Sequence, residues 1–229
     1  IELIRDRLAD VFLSNNISML MLNQVEEFNV NDDSMPNISA HVHDIKIEDL
    51  LGRDPIKTDS SAIRSVITNQ VVLITGAAGS IGSEIVNQVA ALGAREIVLV
   101  DQAETPMHDL QLQMEAKHPE VTIRLFIGDV VNRPRMEQAF ATYKPRYVFH
   151  AAAYKHVPMM ERNPVEAIMT NVFGTKNIAD LSNEYNVEKF VMVSTDKAVN
   201  PTNVMGASKR IAEIYVQSLF FHLRQTSDR

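Results

Sequence analysis

The feature that most constrains this chain is a glycine-rich turn between an apolar run and a segment with helical character. The apolar run is Val71–Thr75, and Gly76, Gly79 and Gly82 follow it. Gly76 permits a tight turn, Gly79 lets the backbone approach a pyrophosphate, and Gly82 lets a helix pack closely on the strand. The start of that helix offers free N–H groups and a positive dipole end to phosphates. The sequence therefore predicts a strand–turn–helix unit that binds a dinucleotide.

Four further apolar runs follow the first and leave room for helices between them. They are Ile97–Asp101, Thr122–Ile127, Tyr147–His150 and Phe190–Ser194. Runs rich in Val and Ile suit strands buried on both faces of a parallel sheet, and the intervening segments are long enough for helical crossovers. We therefore predict an α/β fold with a doubly wound parallel sheet, an NAD(P)-binding Rossmann domain, over residues 67–229.

The first 66 residues have a different pattern and are predicted to be an N-terminal extension, or the tail of an upstream domain, with a linker. An amphipathic helix is expected at Ile1–Phe12, before a polar stretch at Asn29–Asn37. Short elements are expected around His41–Leu51, and Arg53–Ser61 has the character of a linker.

Composition excludes several classes of function. The 229 residues carry a net charge of −7 without a run of Lys and Arg, so the basic surface of a nucleic-acid-binding protein is missing. There is no Cys, which excludes disulfides, thiolate metal sites and a cysteine nucleophile. The apolar runs are far shorter than the roughly 20 residues that span a bilayer. No cluster of ligands surrounds His156, so no metal site is predicted.

Asp101, at the end of the second predicted strand, indicates which dinucleotide is bound. A carboxylate there can accept hydrogen bonds from the adenosine ribose hydroxyls, whereas it would repel a 2′-phosphate. NAD is therefore favoured over NADP. The alternative role for Asp101 is to cap the following helix.

The glycine spacing resembles that of the extended short-chain dehydrogenases/reductases, and two further segments fall in register with that superfamily. Asp129-Val130 looks like its adenine-contacting element, and Ala151–Ala153 would let the cofactor lie against the backbone. The cofactor-binding residues expected on these grounds are Gly76, Ala78, Gly79, Ser80, Ile81, Gly82, Asp101, Asp129, Val130, Ala151, Ala152, Ala153, Lys155, Asn171 and Lys209.

The residues for which chemistry is predicted follow the fifth strand. Thr195, Asp196 and Lys197 lie at the carboxyl end of a parallel strand, where open α/β sheets place ligand chemistry; a solvated loop pair is the alternative for Asp196 and Lys197. Met205 and Lys209 are four residues apart on a predicted helix and share a face. Short-chain dehydrogenases mostly have Tyr and Lys there. Met cannot transfer a proton, so the residues alone leave a cofactor-binding relic as an alternative.

Longer stretches resemble the polysaccharide-biosynthesis dehydratases that convert UDP-N-acetylglucosamine to a 4-keto-6-deoxy sugar. The stretches are Ala152–Glu161, Thr170–Thr175 and Ser194–Ala198, and the resemblance covers about residues 45–229, including Ile47–Arg53. The similarity is particularly to the long, membrane-anchored form, in which Met replaces the catalytic Tyr, as Met205 does here.

The resemblance implies a redox-neutral reaction in which NAD+ takes hydride from sugar C4, water leaves from C6 and hydride returns to C6. Asp196 would be the acid at the C6 hydroxyl and Lys197 the base at C5. Thr195, a water or Asp196 would accept the proton of the C4 hydroxyl. Lys209 would hold the nicotinamide ribose.

Three other residues have a functional and a structural interpretation. Lys155 and His156 would approach substrate or pyrophosphate, while a surface position suits His156 equally well. Asn171 would help to shape the site, or would serve only in helix packing.

Three other functions are compatible with the same fold: a nucleotide-sugar 4-epimerase, a C5-inverting dehydratase, and a non-enzymatic NAD(P)-sensing module. Epimerases and the shorter C5-inverting dehydratases generally keep the Tyr, so Met205 disfavours both, whereas it favours the sensor.

The resemblance also predicts a fragment that ends before the C-terminal substrate region. Such a fragment would hold the cofactor half without the complete UDP-sugar pocket and alone would not be expected to turn over. It would be cytoplasmic, with its parent anchored in the bacterial inner membrane by segments absent here, and the parent would form a homo-oligomer.

Overall fold

The computed structural model describes residues 59–227 and the backbone of two short strands, β1 (Leu20–Leu22) and β2 (Val42–Asp44). These two strands pair antiparallel, with Leu20 opposite Asp44. The chain divides into two compact units, Ile1–Thr58 and Asp59–Arg229. Strand β2 falls where short elements were expected, whereas the predicted helix at residues 1–12, the polar stretch at 29–37 and residues 45–58 lie outside the described residues.

The second unit contains a five-stranded parallel sheet in the order β5-β4-β3-β6-β7. Its strands are β3 (Val71–Thr75), β4 (Glu96–Asp101), β5 (Thr122–Ile127), β6 (Tyr147–His150) and β7 (Lys189–Met192). The order runs outward in both directions from β3, which confirms the predicted doubly wound α/β fold of the Rossmann type.

Helices precede, connect and follow the strands of this sheet. They are α1 (Ser60–Ile67), α2 (Ser80–Ala91), α3 (Glu104–Lys117), α4 (Arg133–Tyr143), α5 (Val157–Arg162), α6 (Pro164–Ala167), α7 (Thr175–Glu184) and α8 (Val204–Ser227). A π-helical segment, Ile168–Gly174, joins α6 to α7, and a 3₁₀ turn, Asp196–Ala198, precedes α8. None of the helices described combines the length and the apolar composition needed to cross a membrane.

The core lies on both faces of the sheet because the central strands carry consecutive apolar residues, whose side chains alternate between the two faces. On β3, Val72 and Ile74 face a cluster with residues of α1, α2 and α3. Val71 and Leu73 face the opposite cluster, which contains residues of α4 and α7. Helices therefore cover the sheet on both sides, as a parallel sheet requires.

Helix α1 crosses the boundary expected at residues 66 and 67. It begins at Ser60, after the N-cap Asp59, whose carboxylate accepts hydrogen bonds from the Ser61 and Ala62 N–H groups. Its last residue, Ile67, is buried in the core. Asp59 is a favourable N-cap, and this helix starts inside the segment that resembled a linker.

Candidate functional site

A cleft opens at the carboxyl ends of β3 and β6, where the order of the strands reverses. In sheets of this kind, such a reversal creates the crevice in which ligands bind. The cleft is lined by Gly76, Gly79, Val100, Asp101, Gln102, Gly128, Asp129, Val130, Ala151, Ala152, Ala153, Tyr154 and Thr170. Eight of the residues expected to bind a cofactor are therefore gathered in one place: Gly76, Gly79, Asp101, Asp129, Val130, Ala151, Ala152 and Ala153.

The three glycines of the turn serve different purposes. Gly76 has a φ of 66°, and a Cβ atom there would lie 2.5 Å from the Ala152 nitrogen. A Cβ atom on Gly82 would lie 1.9 Å from the Gly76 oxygen. A Cβ atom on Gly79 would meet only the Gly76 oxygen, at 3.2 Å, and would otherwise fill the open cleft. Gly76 and Gly82 are thus required by packing, while Gly79 leaves room for a ligand.

Asp101 ties the end of β4 to the glycine turn. One carboxylate oxygen accepts the Ala78 N–H at 3.0 Å, and the other accepts the Ala103 N–H at 3.1 Å. The N-cap of α3 is Ala103 and not Asp101. The carboxylate is therefore fixed beside the turn, at the mouth of the cleft.

A cation lies over the start of α2. The N-cap of this helix, Gly79, makes no side-chain capping bond, so the first-turn N–H groups depend on a ligand or on water. Lys155 donates a hydrogen bond from Nζ to the Ser80 hydroxyl at 3.2 Å. The neighbouring Ile81 is 55% exposed. This corner therefore combines a helix N-terminus with an ammonium group, as an anion site requires.

The opposite wall of the cleft, at Val130, is fixed by Gly174 and Asn177, of which the sequence analysis did not mark Asn177. A Cβ atom on Gly174 would lie 2.6 Å from a Val130 methyl carbon, so glycine lets the π-helical segment reach this wall. Asn177 donates hydrogen bonds to the carbonyls of Val130 and Val131, both at 3.0 Å. Asp129 closes a local turn by accepting the Val131 N–H.

Behind the cleft, a buried histidine bridges β3 and α7. His150 Nδ1 lies 2.6 Å from the Thr75 hydroxyl, and Nε2 lies 2.9 Å from the Thr175 hydroxyl. Thr175 donates its own proton to the Asn171 carbonyl, so it accepts from His150 Nε2, and Thr75 donates to Nδ1. Burial, aided by the Lys209 charge, lowers the pKa of His150 to about 3. The imidazole is therefore neutral and structural.

Asn171 continues this network to α8. Its side chain accepts the Tyr154 N–H at 2.8 Å and donates to the Tyr154 carbonyl at 3.0 Å. It also donates to the Ser208 hydroxyl, which in turn donates to the Met205 carbonyl. Asn171 thus fixes the chain beyond β6 against the helix that carries Met205 and Lys209.

Met205 and Lys209 are buried on one face of α8, as their spacing predicted. Met205 packs with Met160 and Ala167 in an apolar cluster, to which the Tyr154 ring contributes. Lys209 is only 5% exposed, and its ammonium enters none of the ion pairs formed by the described residues. Burial lowers the pKa of Lys209 to about 8, although the nearby Glu213 carboxylate opposes the shift.

Thr195, Asp196 and Lys197 lie at the carboxyl end of β7, against the start of α8. A Cβ atom on Gly206 would lie 2.2 Å from the Lys197 carbonyl oxygen, so glycine lets the 3₁₀ turn pack there. The Asp196 and Lys197 side chains are exposed and form an ion pair of 3.2 Å. Hydrogen bonds from Thr195 and Lys197 lower the pKa of Asp196. These residues are not part of the cleft lining, so the described structure contains two adjacent groups of candidate residues.

Comparisons with known proteins identify the family of the chain and several of its relatives. The family described as "Polysaccharide biosynthesis protein" matches residues 72–227. The capsular polysaccharide biosynthesis protein CapD of Staphylococcus aureus is 48% identical over 176 residues, which are 76% of this chain and 29% of that protein. A UDP-N-acetylglucosamine 4,6-dehydratase (inverting) of Campylobacter jejuni is 37% identical over 139 residues, 60% of this chain and 40% of that protein. A UDP-glucose 4-epimerase of Rickettsia rickettsii is 36% identical over 152 residues, 65% and 43% of the two chains.

Solved structures give the same result for the fold. The X-ray structure of Pen from Bacillus thuringiensis has a TM-score of 0.62 and 36% identity, and the match covers 66% of this chain and 47% of that one. The UDP-glucose 4-epimerase of Thermus thermophilus, solved as a complex with NAD, has a TM-score of 0.57 and 28% identity, with 65% and 50% covered. This chain thus spans from under a third to about half of these relatives' length.

Proposed function

The chain belongs to the family of polysaccharide biosynthesis proteins, and on this premise we propose that it is part of a nucleotide-sugar 4,6-dehydratase that uses NAD to dehydrate UDP-N-acetylglucosamine. The observation that carries the proposal is that Met205 and Lys209 share one buried face of α8. By its resemblance to short-chain dehydrogenases, the buried Met205 stands where most of them have a proton-transferring Tyr, and Met cannot transfer a proton. We therefore assign the acid–base chemistry to Asp196 and Lys197, whose 3₁₀ turn packs against the start of α8.

The cleft fits a dinucleotide. The space beside Gly79 and the uncapped start of α2 suit a pyrophosphate, with Lys155 as its cation. Asp101, fixed by two backbone N–H groups, would accept the ribose hydroxyls and repel a 2′-phosphate, which favours NAD over NADP. A bound nicotinamide would supply a reversible two-electron acceptor for the sugar, and Lys209 would hold its ribose.

The charge state of Asp196 suggests an order for the proton transfers. Asp196 is ionised at neutral pH, and the hydrogen bonds that lower its pKa stabilise this form, so it would act first as a proton acceptor and only afterwards as an acid. Asp196 would take the proton of the C4 hydroxyl and later donate it to the C6 hydroxyl as water leaves. Lys197 would remove the C5 proton as water leaves and return a proton to C5 when hydride returns to C6.

A nucleotide-sugar 4-epimerase is the second candidate. It is supported by the epimerase relative from Rickettsia, which is almost as similar to this chain as the dehydratase relative. An epimerase would need no acid at C6, so the Asp196–Lys197 pair favours the dehydratase. The oligomeric state and the location of the protein stay predictions.

The test is to incubate the complete gene product with UDP-N-acetylglucosamine and NAD+ in deuterated water and to analyse the sugar by mass spectrometry and NMR. A dehydratase gives a product lighter by one water with deuterium at C5, and Asp196→Asn or Lys197→Ala abolishes it. Glu184→Gln, a change in an exposed ion pair with Arg133, is the matched control and retains turnover. An unchanged or merely epimerised sugar, with NAD bound, would refute the dehydratase and favour the epimerase or the sensor.

A further inference from the structure

Glu213 lies one helical turn beyond Lys209 and holds the segment that carries the candidate acid and base. Met205, Lys209 and Glu213 are spaced four residues apart on α8 and therefore lie along one face. Glu213 is 22% exposed, and one of its carboxylate oxygens accepts the Ser194 hydroxyl proton at 2.5 Å. Ser194 directly precedes Thr195, so this bond fixes the chain where β7 passes into the 3₁₀ turn.

We propose that Glu213 is a positioning residue, whose carboxylate anchors Ser194 to α8 and places a negative charge one turn from the Lys209 ammonium. The proposal rests on the proposed function for its catalytic consequence, because Ser194 leads into Asp196 and Lys197. The anchoring hydrogen bond and the negative charge can be tested separately, because different groups provide them. The Ser194 hydroxyl takes part only in the anchor, whereas the charge resides on Glu213.

The electrostatic part depends on the groups around Lys209. His150 on β6 is neutral, and Glu213 is the carboxylate that raises the pKa of Lys209 against the effect of burial. Arg210 pairs with the second Glu213 oxygen at 3.0 Å and shares its charge. Several charged groups on the neighbouring elements have other partners: Asp196 pairs with Lys197, Lys176 pairs with Asp180, and Glu161 accepts the Val204 N–H. Arg162 on α5 and Glu166 on α6 are the other charged groups on the two helices before the π-helical segment.

The first experiment measures the titration of Lys209 in the complete gene product without ligand, by NMR of lysine labelled with ¹³C at Cε, assigned with Lys209→Met. Glu213→Gln keeps a hydrogen-bond acceptor for Ser194 and removes the charge. We expect its Lys209 midpoint to fall by about one pH unit, since two charges one turn apart interact by roughly that much at a partly buried site. Ser194→Ala and the control Glu184→Gln should leave the midpoint in place.

The second experiment measures turnover and NAD+ affinity against pH. Ser194→Ala should lower kcat at least about tenfold, because loss of the anchor releases the acid–base segment, without moving the pH at which NAD+ affinity falls. Glu213→Gln should move that fall to lower pH and should retain more kcat than Glu213→Ala, which loses both functions.

A Lys209 midpoint in Glu213→Gln equal to that of the wild type would overturn the electrostatic part, and wild-type kcat in Ser194→Ala would overturn the anchor. Thermal unfolding shows whether each variant is folded. If neither the wild type nor any variant transforms the sugar, the proposed function fails. The lysine titration and the NAD+ binding measurements still decide the role of the Glu213 charge.

Discussion

Lys209 occupies a position that disfavours its own charge. A buried ammonium is stabilised by hydrogen bonds or by an ion pair, and the described residues give Lys209 no ion pair. Burial accordingly lowers the pKa of Lys209 to about 8. A buried ammonium without an ion pair is most easily explained if it binds a ligand, which in the proposed complex is the nicotinamide ribose.

Replacing this lysine should therefore stabilise the protein while impairing its function. Lys209→Met keeps the apolar volume and removes the buried charge, so we expect the free energy of unfolding at pH 7 to rise by about 2 kcal/mol. Urea denaturation measures this change. Lys155→Met, at an exposed position, is the control and should change stability by less than about 0.5 kcal/mol.

The pH dependence of stability tests the same cause. The pKa of Lys209 falls from its ordinary value of 10.5 to about 8 in the fold, so between these values the unfolded chain binds a proton that the native protein has released. Stability should therefore rise with pH across this window, and Lys209→Met should lack that part of the rise. A variant less stable than the wild type at pH 7 would show that the ammonium has a strong partner.

At the scale of elements, the helix that follows α5 is continuous from α6 to α7 but winds as a π-helix at Ile168–Gly174. Such segments are rare and often lie at functional sites. Here the segment carries Asn171, which turns its side chain to the Tyr154 backbone and to Ser208. Through Asn171, this π-helical segment thus connects the chain that follows β6 with α7 and α8.

Asn171→Ala should be far more damaging than Ser208→Ala. The first change leaves the Tyr154 N–H and carbonyl without their partner, and we expect a loss of about 2–3 kcal/mol in the free energy of unfolding together with weaker NAD+ binding. The second removes a single hydroxyl and should cost about 1 kcal/mol. Urea denaturation and calorimetric NAD+ binding give the comparison, and equal losses in both variants would contradict it.

The glycine turn offers a second comparison between elements. Gly82→Ala places a Cβ atom 1.9 Å from the Gly76 oxygen and forces α2 away from the turn, so we expect a loss of about 3 kcal/mol in stability. Gly79→Ala meets only one atom, at 3.2 Å, and should fold almost normally while binding NAD+ poorly. Thermal unfolding and NAD+ titration of both variants separate the roles. A Gly79→Ala variant with wild-type affinity would mean that no phosphate approaches this residue.

The sequence predicted the elements better than the contacts between them. All five runs of the Rossmann sheet were found because buried parallel strands carry continuous apolar residues, but β7 ends at Met192, not Ser194, since it pairs with β6 only as far as His150. Helix α1 was missed, although Asp59 as N-cap and Ile63, Val66 and Ile67 at helical spacing signalled it.

Sequence patterns point to candidate site residues where the backbone conformation requires a particular residue type. Gly76, Gly79 and Gly82 lie at the turn between β3 and α2 that their spacing predicted, while the approach of a phosphate to Gly79 stays a prediction. Glu213 and Ser194 could not be paired from the sequence, because their contact depends on how α8 packs beside the end of β7. The Lys155–Ser80 hydrogen bond likewise joins residues that only the fold brings together.

At the scale of the whole molecule, an acidic protein is proposed to bind an anionic cofactor. The chain carries a net charge of −7, so its overall field opposes the approach of a pyrophosphate. Binding must then depend on local features, the start of α2 and the Lys155 ammonium. Long-range repulsion is screened within about 10 Å at 0.1 M salt, whereas contacts at the helix N-terminus are screened much less.

This difference predicts an unusual salt dependence. Raising the salt concentration from about 0.02 to 0.2 M should leave NAD+ affinity nearly constant or strengthen it slightly, because it screens the repulsion more than the local contacts. Lys155→Met should weaken binding about tenfold at every salt concentration, since it removes a short-range contact worth about 1.4 kcal/mol. Calorimetric titrations over this range measure both effects, with Lys144→Met, a lysine outside the cleft, as control. A steep loss of affinity with salt, abolished in Lys155→Met, would show that this single charge attracts the cofactor over a distance and that the acidic remainder of the molecule has no influence on binding.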